Sequence, residues 1–317
     1  MTETVKVVVG VSACLLGEKV RYDGGHRHDL LITDTLGKFF TYIPVCPEVE
    51  CGLPVPREPM HLAGDIDNPR LVTIHTGIDH TGRMKKWSRD KLDEMEGAGL
   101  SGFIFKGKSP SSGMRGIKIY RDSARPVLSG TGLFAAAFMK RFPLMPVEDE
   151  GGLHDPGLRE NFIERVFVYN RWQELAGNGC PAADLIEFHT RHKYLIMAHS
   201  PKHLALLGKM AGKASDASPD AIESYHRNLM DALRLIATPA KNTNVLQHIM
   251  GYFKKTLDHT EKEELLEIID RYRRGLIPRI VPVTLLNRYA LKYDQSYLKK
   301  QYYLNPHPVE LMLRNHV

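Results

Sequence analysis

Val7-Val8-Val9-Gly10-Val11-Ser12-Ala13-Cys14-Leu15-Leu16-Gly17 is a short apolar run that ends in a thiol and a glycine. Its length and β-branched content read as a buried strand of a parallel sheet. The arrangement returns twice. Residues 42–45 run into Cys46-Pro47-Glu48-Val49, and residues 102–106 into Lys108-Ser109-Pro110-Ser111-Ser112-Gly113. In a parallel α/β sheet the carboxyl ends of the strands open into one crevice, where ligands bind. Three such ends place Cys14, Cys46 and Ser112 around one point. Further strand-like residues at 5–6, extending the first run to 5–11, and at 71–74 and 117–120 alternate with helical stretches at 88–99 and 132–141. This predicts an α/β N-terminal domain with a mostly parallel sheet.

Residues 147–157 read as a linker: three consecutive acids (Glu148, Asp149, Glu150), then Gly151-Gly152, then Asp155-Pro156-Gly157. Beyond it the β signal fades. Residues 158–175 carry Phe162, Val166, Tyr169 and Leu175 near a 3.6-residue period, and 181–199, 244–256 and 282–293 read as further helices. Ser200-Pro201 and Ser218-Pro219 place a capping hydroxyl before a proline at the first helical position, and Thr260 with Glu263 fits a capping box. The expected division is an α/β domain over 1–150 and an all-α C-terminal domain over 151–317.

A chain of 317 residues exceeds a usual single core, and its 43% hydrophobic and 25% charged residues are ordinary for a globular protein. No apolar run reaches membrane-span length, so no membrane contact is expected. Met1-Thr2-Glu3-Thr4 lacks a basic leader, and four cysteines suit metal or catalytic thiols in a reducing compartment, so a cytoplasmic protein is expected. Of the net charge of +6, +1 lies up to Glu150 and +5 after it. A basic second half fits a polyanionic partner such as RNA, and equally a plain soluble basic domain. Lys193, Lys254, Lys255, Arg271 and Arg274 are the candidate phosphate contacts. Residues 271–300 hold eight Lys/Arg and one acid, interleaved with Tyr272, Tyr289, Tyr293 and Tyr297. Those rings either stack on splayed bases or form a helix core. His189 with His192 and His199 with His203 resemble metal pairs, but Pro201 opens a new helix and breaks the second spacing, so packed or RNA-facing histidines are expected. No obligate protein partner is evident.

The spacing of Cys14, Cys46 and position 112 matches neither the paired cysteines of zinc ribbons nor the clustered spacing of ferredoxins. Two readings stand: small apolar side chains buried at strand ends, or ligands of a soft-metal cluster with one coordination position left open to substrate.

Five segments in order bear on the choice: Ser-Ala-Cys-Leu-Leu-Gly (12–17), Val-Arg-Tyr-Asp-Gly (20–24), Val-Cys-Pro-Glu-Val (45–49), Gly-Leu-Pro-Val-Pro-Arg (52–57) and Lys-Ser-Pro-Ser-Ser-Gly (108–113). Together they resemble the thiouracil desulfidase (TudS) family over roughly residues 5–147. The resemblance implies a 4Fe–4S cluster on three cysteines and removal of sulfur from thiolated pyrimidines without net redox change. It places the ligands at Cys14, Cys46 and position 112. The family motif there is Ser-Pro-Ser-Cys-Gly, so Ser112 replaces the third thiolate, and cluster binding is expected to be weak. Every other motif residue is intact, which reads as a Cys→Ser variant rather than a lineage that has lost its cluster. Cys51 and Cys180 read as structural. Phe188-His189-x-x-His192-Lys193-Tyr194-Leu195 and Asn244-Val245-Leu246-x-His248 resemble a helical domain fused to such enzymes, among which are bacterial tRNA 4-thiouridine desulfidases; that implies tRNA as partner.

In this reading Glu48, two residues after Cys46, moves protons, unless it is only a solvated loop acid or a partner for Arg57, and Ser109 bonds substrate or leaving sulfur, unless it only caps the turn before Pro110. Ser12, Tyr22, Asp23 and Lys108 are candidate substrate contacts; for Tyr22 and Asp23 the competing role is shaping the turn at Gly24-Gly25. The function expected is iron–sulfur-dependent conversion of 4-thiouridine in tRNA to uridine and hydrosulfide, impaired by Ser112. The alternatives are a desulfidase of free thiouracil or thio-nucleotides, and a non-catalytic RNA-binding iron–sulfur protein.

Overall fold

The computed structural model describes residues 7–121, 124–216, 218–306, 308 and 313–314. The start of the 5–11 run and the segment 1–4 lie outside them. Contacts divide the chain into two units, Met1–Asp155 and Pro156–Val317.

The first unit holds strands β1 (Val7–Ser12), β2 (Phe40–Val45), β3 (Met60–Gly64), β4 (Pro69–Thr73), β5 (Phe103–Phe105), β6 (Ile117–Arg121), β7 (Ala124–Gly130) and β8 (Val147–Asp149). Its α-helices are α1 (Pro47–Glu50), α2 (Thr81–Glu96), α3 (Leu133–Arg141) and α4 (Glu150–His154). β2, β1, β5 and β8 lie in that order in an all-parallel sheet. Val7, Val9 and Val11 are buried, as the opening run requires. Gly10 is needed in mid-strand because a Cβ there would meet the Phe103 ring at 2.3 Å. That ring belongs to an aromatic cluster that packs α3 onto the sheet, with Phe138 centred 4.8 Å from Phe103 and 5.5 Å from Phe105. Because β1 pairs with β2 on one side and β5 on the other, the strand order reverses beside β1. A crevice opens at such a point.

A second sheet, order β4-β3-β6-β7, is mixed: β3 pairs parallel with β6, while β3–β4 and β6–β7 are antiparallel. Leu62, Leu71, Ile117 and Ile119 bury against Met84 of α2. The sequence reading has only two of these strands. Met60-His61-Leu62-Ala63-Gly64 is poor in β-branched residues, so its pattern carries no strand signal. α2 also begins earlier than the 88–99 expectation. The linker over 147–157 is corrected: 147–149 is β8, paired with β5, and 150–154 is α4. The acids there are used inside the fold, which composition cannot distinguish from a solvated run.

The second unit is helical: α5 (Pro156–Gly177), α6 (Ala182–His199), α7 (Pro201–Ala211), α8 (Pro219–Arg234), α9 (Pro239–Met250), α10 (His259–Arg273), α11 (Ile280–Lys292) and α12 (Ser296–Lys299). Ser200 and Ser218 cap as expected, accepting from the His203 and Ala221 amides. The capping box is corrected to Asp258 with Glu261, which starts α10 before Thr260. Both pairs fit the pattern, and the earlier one wins because Asp258 keeps extended backbone while Thr260 is already helical. Inside this unit Arg279 pairs with Glu160 and bonds Asn242, and Arg314 reaches Glu164, all buried.

Candidate functional site

A cavity of about 460 Å³ lies at the carboxyl edge of the parallel sheet. Cys14 enters it from the 3-10 turn Ala13–Leu16 that follows β1, a turn closed by Gly17 at φ 95°. Glycine suits that left-handed position. Cys46 enters from the junction of β2 and α1, where Pro47 opens the helix and Glu50 accepts from the Cys46 amide at 2.7 Å. Ser109, Ser111 and Ser112 enter from the loop after β5.

That loop is held on three sides. Ser109 Oγ accepts from the Ser112 amide at 3.1 Å, and Gly113 N donates to Ser109 O at 2.8 Å. The first amides of α3 donate to it, Leu133 N to Pro110 O at 3.2 Å and Phe134 N to Ser111 O at 3.0 Å. On the third side Glu150 pairs with Lys106 and accepts from Gly107 N at 2.6 Å. Ser12 Oγ accepts from Lys106 N at 2.8 Å and so ties the end of β1 to the end of β5.

Glu48 lies between a cation and a hydroxyl. Arg57 Nε donates to its Oε2 at 2.9 Å, with Arg57 Nη2 on the same oxygen, and Ser111 Oγ donates to Oε1 at 2.8 Å. Ser111 Oγ is 3.0 Å from Ser109 Oγ. Glu48, Ser111 and Ser109 therefore form one hydrogen-bonded chain along the cavity wall. Ser111 is absent from the sequence reading; its signal was the serine-rich loop itself, but only the fold shows that it reaches Glu48.

Burial pushes the Cys14 thiol up to about 11, opposed by the Lys106 ammonium and reinforced by Cys46. Burial also raises Cys46. Desolvated thiols of this kind become thiolates when a soft cation compensates them. Arg21, Arg27, Arg57, Lys106 and Lys108 all line the cavity, which suits anionic sulfur. A cluster held on three thiolates is a different matter. The cavity offers two thiols and the Ser112 hydroxyl, and among the described residues no group of three metal-ligating side chains forms. The donor set is one thiolate short, so the residues present do not fit such a cluster.

Of the expected site residues, Ser12, Cys14, Tyr22, Cys46, Glu48, Lys108, Ser109 and Ser112 all line this cavity. Asp23 does not. Its carboxylate accepts from Gly25 N at 3.0 Å and pairs with Arg21, and that backbone bond lowers its pKa. The correction is a turn-shaping role, as short side chains that bond their own backbone favour turns. Cys51 faces elsewhere: its Sγ lies 3.2 Å from Glu48 O, and it packs on the Leu62–Met84 core. Cys180 is buried in the helical unit.

In that unit the histidines His189, His192 and His203 are held by neighbours within the helices. His189 Nδ1 meets Tyr225 Oη at 3.0 Å, His192 Nδ1 meets Phe188 O at 2.7 Å, and His203 Nδ1 meets Ser200 Oγ at 2.8 Å. Lys254 and Lys255 are exposed, and Lys193 lies 5.8 Å from the Tyr194 ring centre. Arg271 and Arg274 are exposed but carry acid partners, Glu267 and Asp270. Tyr272 and Tyr289 are buried, as the helix-core reading expects.

Fold and cavity together define a class: an α/β domain whose strand ends gather thiols, a clamped carboxylate and several cations, joined to a helical unit. The 2-thiouracil desulfurase profile matches residues 9–150, and a profile described as a protein of unknown function, DUF1722, matches residues 193–308. The uncharacterized protein YbgA of Escherichia coli (strain K12) is 30% identical over 158 residues, 49% of this chain and 94% of YbgA. A solved structure of the [4Fe-4S]-dependent thiouracil desulfidase TudS is 31% identical, covers 47% of this chain and 95% of its own, and aligns with a TM-score of 0.38. The chain belongs to the YbgA family and carries a 2-thiouracil desulfurase family domain fused to a helical domain.

Proposed function

We propose that this chain is a desulfidase for 4-thiouridine in tRNA, and that Ser112 leaves it impaired. The net reaction is thiocarbonyl plus water giving carbonyl plus hydrogen sulfide: a carbon–sulfur bond breaks, a carbon–oxygen bond forms, and no electron is gained or lost. The observation that carries the reading is the meeting of Cys14, Cys46 and the Glu48–Ser111–Ser109 chain in one cavity.

Glu48, oriented by Arg57, would accept a proton from water, and Ser109, whose own hydroxyl proton goes to Ser111 Oγ, would act through that hydrogen-bonded chain. Arg27 and Lys108 line the cavity without an acid partner among the described residues, and they suit a phosphate next to the base. The cofactor named for TudS is a 4Fe–4S cluster. Cys14 and Cys46 supply two of the thiolates such a cluster needs, and a cysteine at 112 would supply the third. The exposed Lys254 and Lys255, with Lys193, are the proposed tRNA contacts of the helical unit.

The test compares this chain with Ser112→Cys after anaerobic reconstitution, scoring iron, sulfide and loss of 4-thiouridine from tRNA. The expected result is poor cluster retention here, and a full cluster with turnover in Ser112→Cys. Activity on free 2-thiouracil alone would eliminate tRNA as substrate. A full cluster without desulfuration would favour a non-catalytic RNA-binding protein.

A further inference from the structure

A groove of about 540 Å³ runs between α2 and α3 and shares no lining residue with the thiol cavity. Lys85, Arg89, Lys140 and Arg141 line it, against the single carboxylate Asp93. Asp93 is already engaged by Arg141, 3.4 Å away, which also pairs with Glu96. Lys85 donates to the neutral Asn68 Oδ1 at 2.7 Å, so its charge is not cancelled. Arg89 and Lys140 have no acid partner among the described residues. Ser88 also lines the groove; it is only 2% exposed, and its hydroxyl has no hydrogen-bond partner.

An orphaned buried hydroxyl carries its whole desolvation penalty unless a ligand bonds it. A serine in mid-helix ordinarily turns back to the carbonyl four residues earlier, and Ser88 does not. Leu92, Leu133 and Ala137 form apolar walls, which strengthen any charge interaction made against them.

We propose that this groove is an anion site that takes a phosphate group. The guanidinium of Arg89 offers a fork, Lys85 and Lys140 offer point charges, and Ser88 supplies a neutral hydrogen bond. Together they match the several oxygens of a phosphate better than the two of a carboxylate. The phosphate comes either from an RNA backbone or free from solution.

The experiment uses the full chain and needs neither cluster nor turnover, so it is independent of the desulfidase reading. Inorganic phosphate and unmodified tRNA are titrated by calorimetry into the parent, Arg89→Glu/Lys140→Glu, Ser88→Ala, and the control Lys86→Glu, an exposed α2 position outside the groove. The double variant is expected to bind at least tenfold more weakly with an unchanged melting temperature, and Ser88→Ala severalfold more weakly with a melting temperature equal to or above the parent's. Loss confined to tRNA supports a backbone phosphodiester, and loss confined to inorganic phosphate supports a free ion. Unchanged binding of both probes overturns the site, and so does a loss in Lys86→Glu as large as in either groove variant, which would mean diffuse charge alone.

Discussion

Glu48 shows what one residue's surroundings decide. Its carboxylate side chain is 13% exposed and that of Arg57 is 6% exposed. Removing one member of a buried pair strands the other's charge. Arg57→Met is therefore expected to destabilise the first unit by about 3 kcal/mol in urea unfolding. Ser111→Ala removes the hydrogen bonds to Glu48 and Ser109 and is expected to cost about 1–2 kcal/mol. Equal, negligible effects would mean that Glu48 is solvated and not clamped. The sequence offered Glu48 by its distance from Cys46 and named Arg57 as a possible partner. It gave no sign that Ser111 reaches Glu48, because a loop's side-chain directions depend on how the loop closes. Asp23 had two roles open to it, substrate contact or turn, and its carboxylate takes the turn, because its nearest donor is the backbone of that turn.

Individual elements set the reach of these side chains. α3 presses its first turn onto the Ser109–Gly113 loop so closely that a Cβ on Gly132 would lie 2.5 Å from the Ser111 backbone. Gly132→Ala is expected to push the loop away, with faster hydrogen exchange at residues 109–113 and little change in the helical unit; unchanged exchange in the loop would count against this packing. In the helical unit, His226 of α8 stacks on Trp172 of α5, centroids 4.8 Å apart at 14°. Burial drives its pKa from 6.5 down to about 4. The unfolded ring takes a proton below pH 6.5 and the folded ring does not, so stability is full above pH 6.5 and declines as pH falls toward 4, by about 3 kcal/mol. His226→Phe keeps the stack and removes the titration. Its melting temperature should fall less over that window, and parallel declines would show that His226 is not responsible; the buried His192, also lowered, leaves a residual slope. Strong periodic helices and β-branched strands were legible as elements, whereas β3 and β8 were not. β8 holds two acids, and its identity comes from pairing with β5.

Across the whole molecule, the charge excess lies in the second half, but much of it is spent within that half: Arg271, Arg273 and Arg274 meet acids, and Arg279 and Arg314 are buried with Glu160 and Glu164. RNA binding, if carried by the remaining exposed cations, should weaken by about a hundredfold or more between roughly 50 and 200 mM salt; an affinity independent of salt would point to a partner held by other forces. The sequence by itself determined that thiols at 14 and 46 and a serine at 112 end parallel strands, because apolar strand runs and their glycine turns are local signals. It also determined that the donor set at 14, 46 and 112 is one thiolate short of three, since no fold adds a sulfur to Ser112. Only the tertiary structure decided that Glu150 pins the site loop, that Ser111 links Glu48 to Ser109, and that Ser88 stands unpartnered beneath four cations. Those contacts join residues as far apart as Glu48 and Ser111, 63 positions along the chain, and a hydrogen bond depends on where the backbone brings its partners, which no stretch of sequence records.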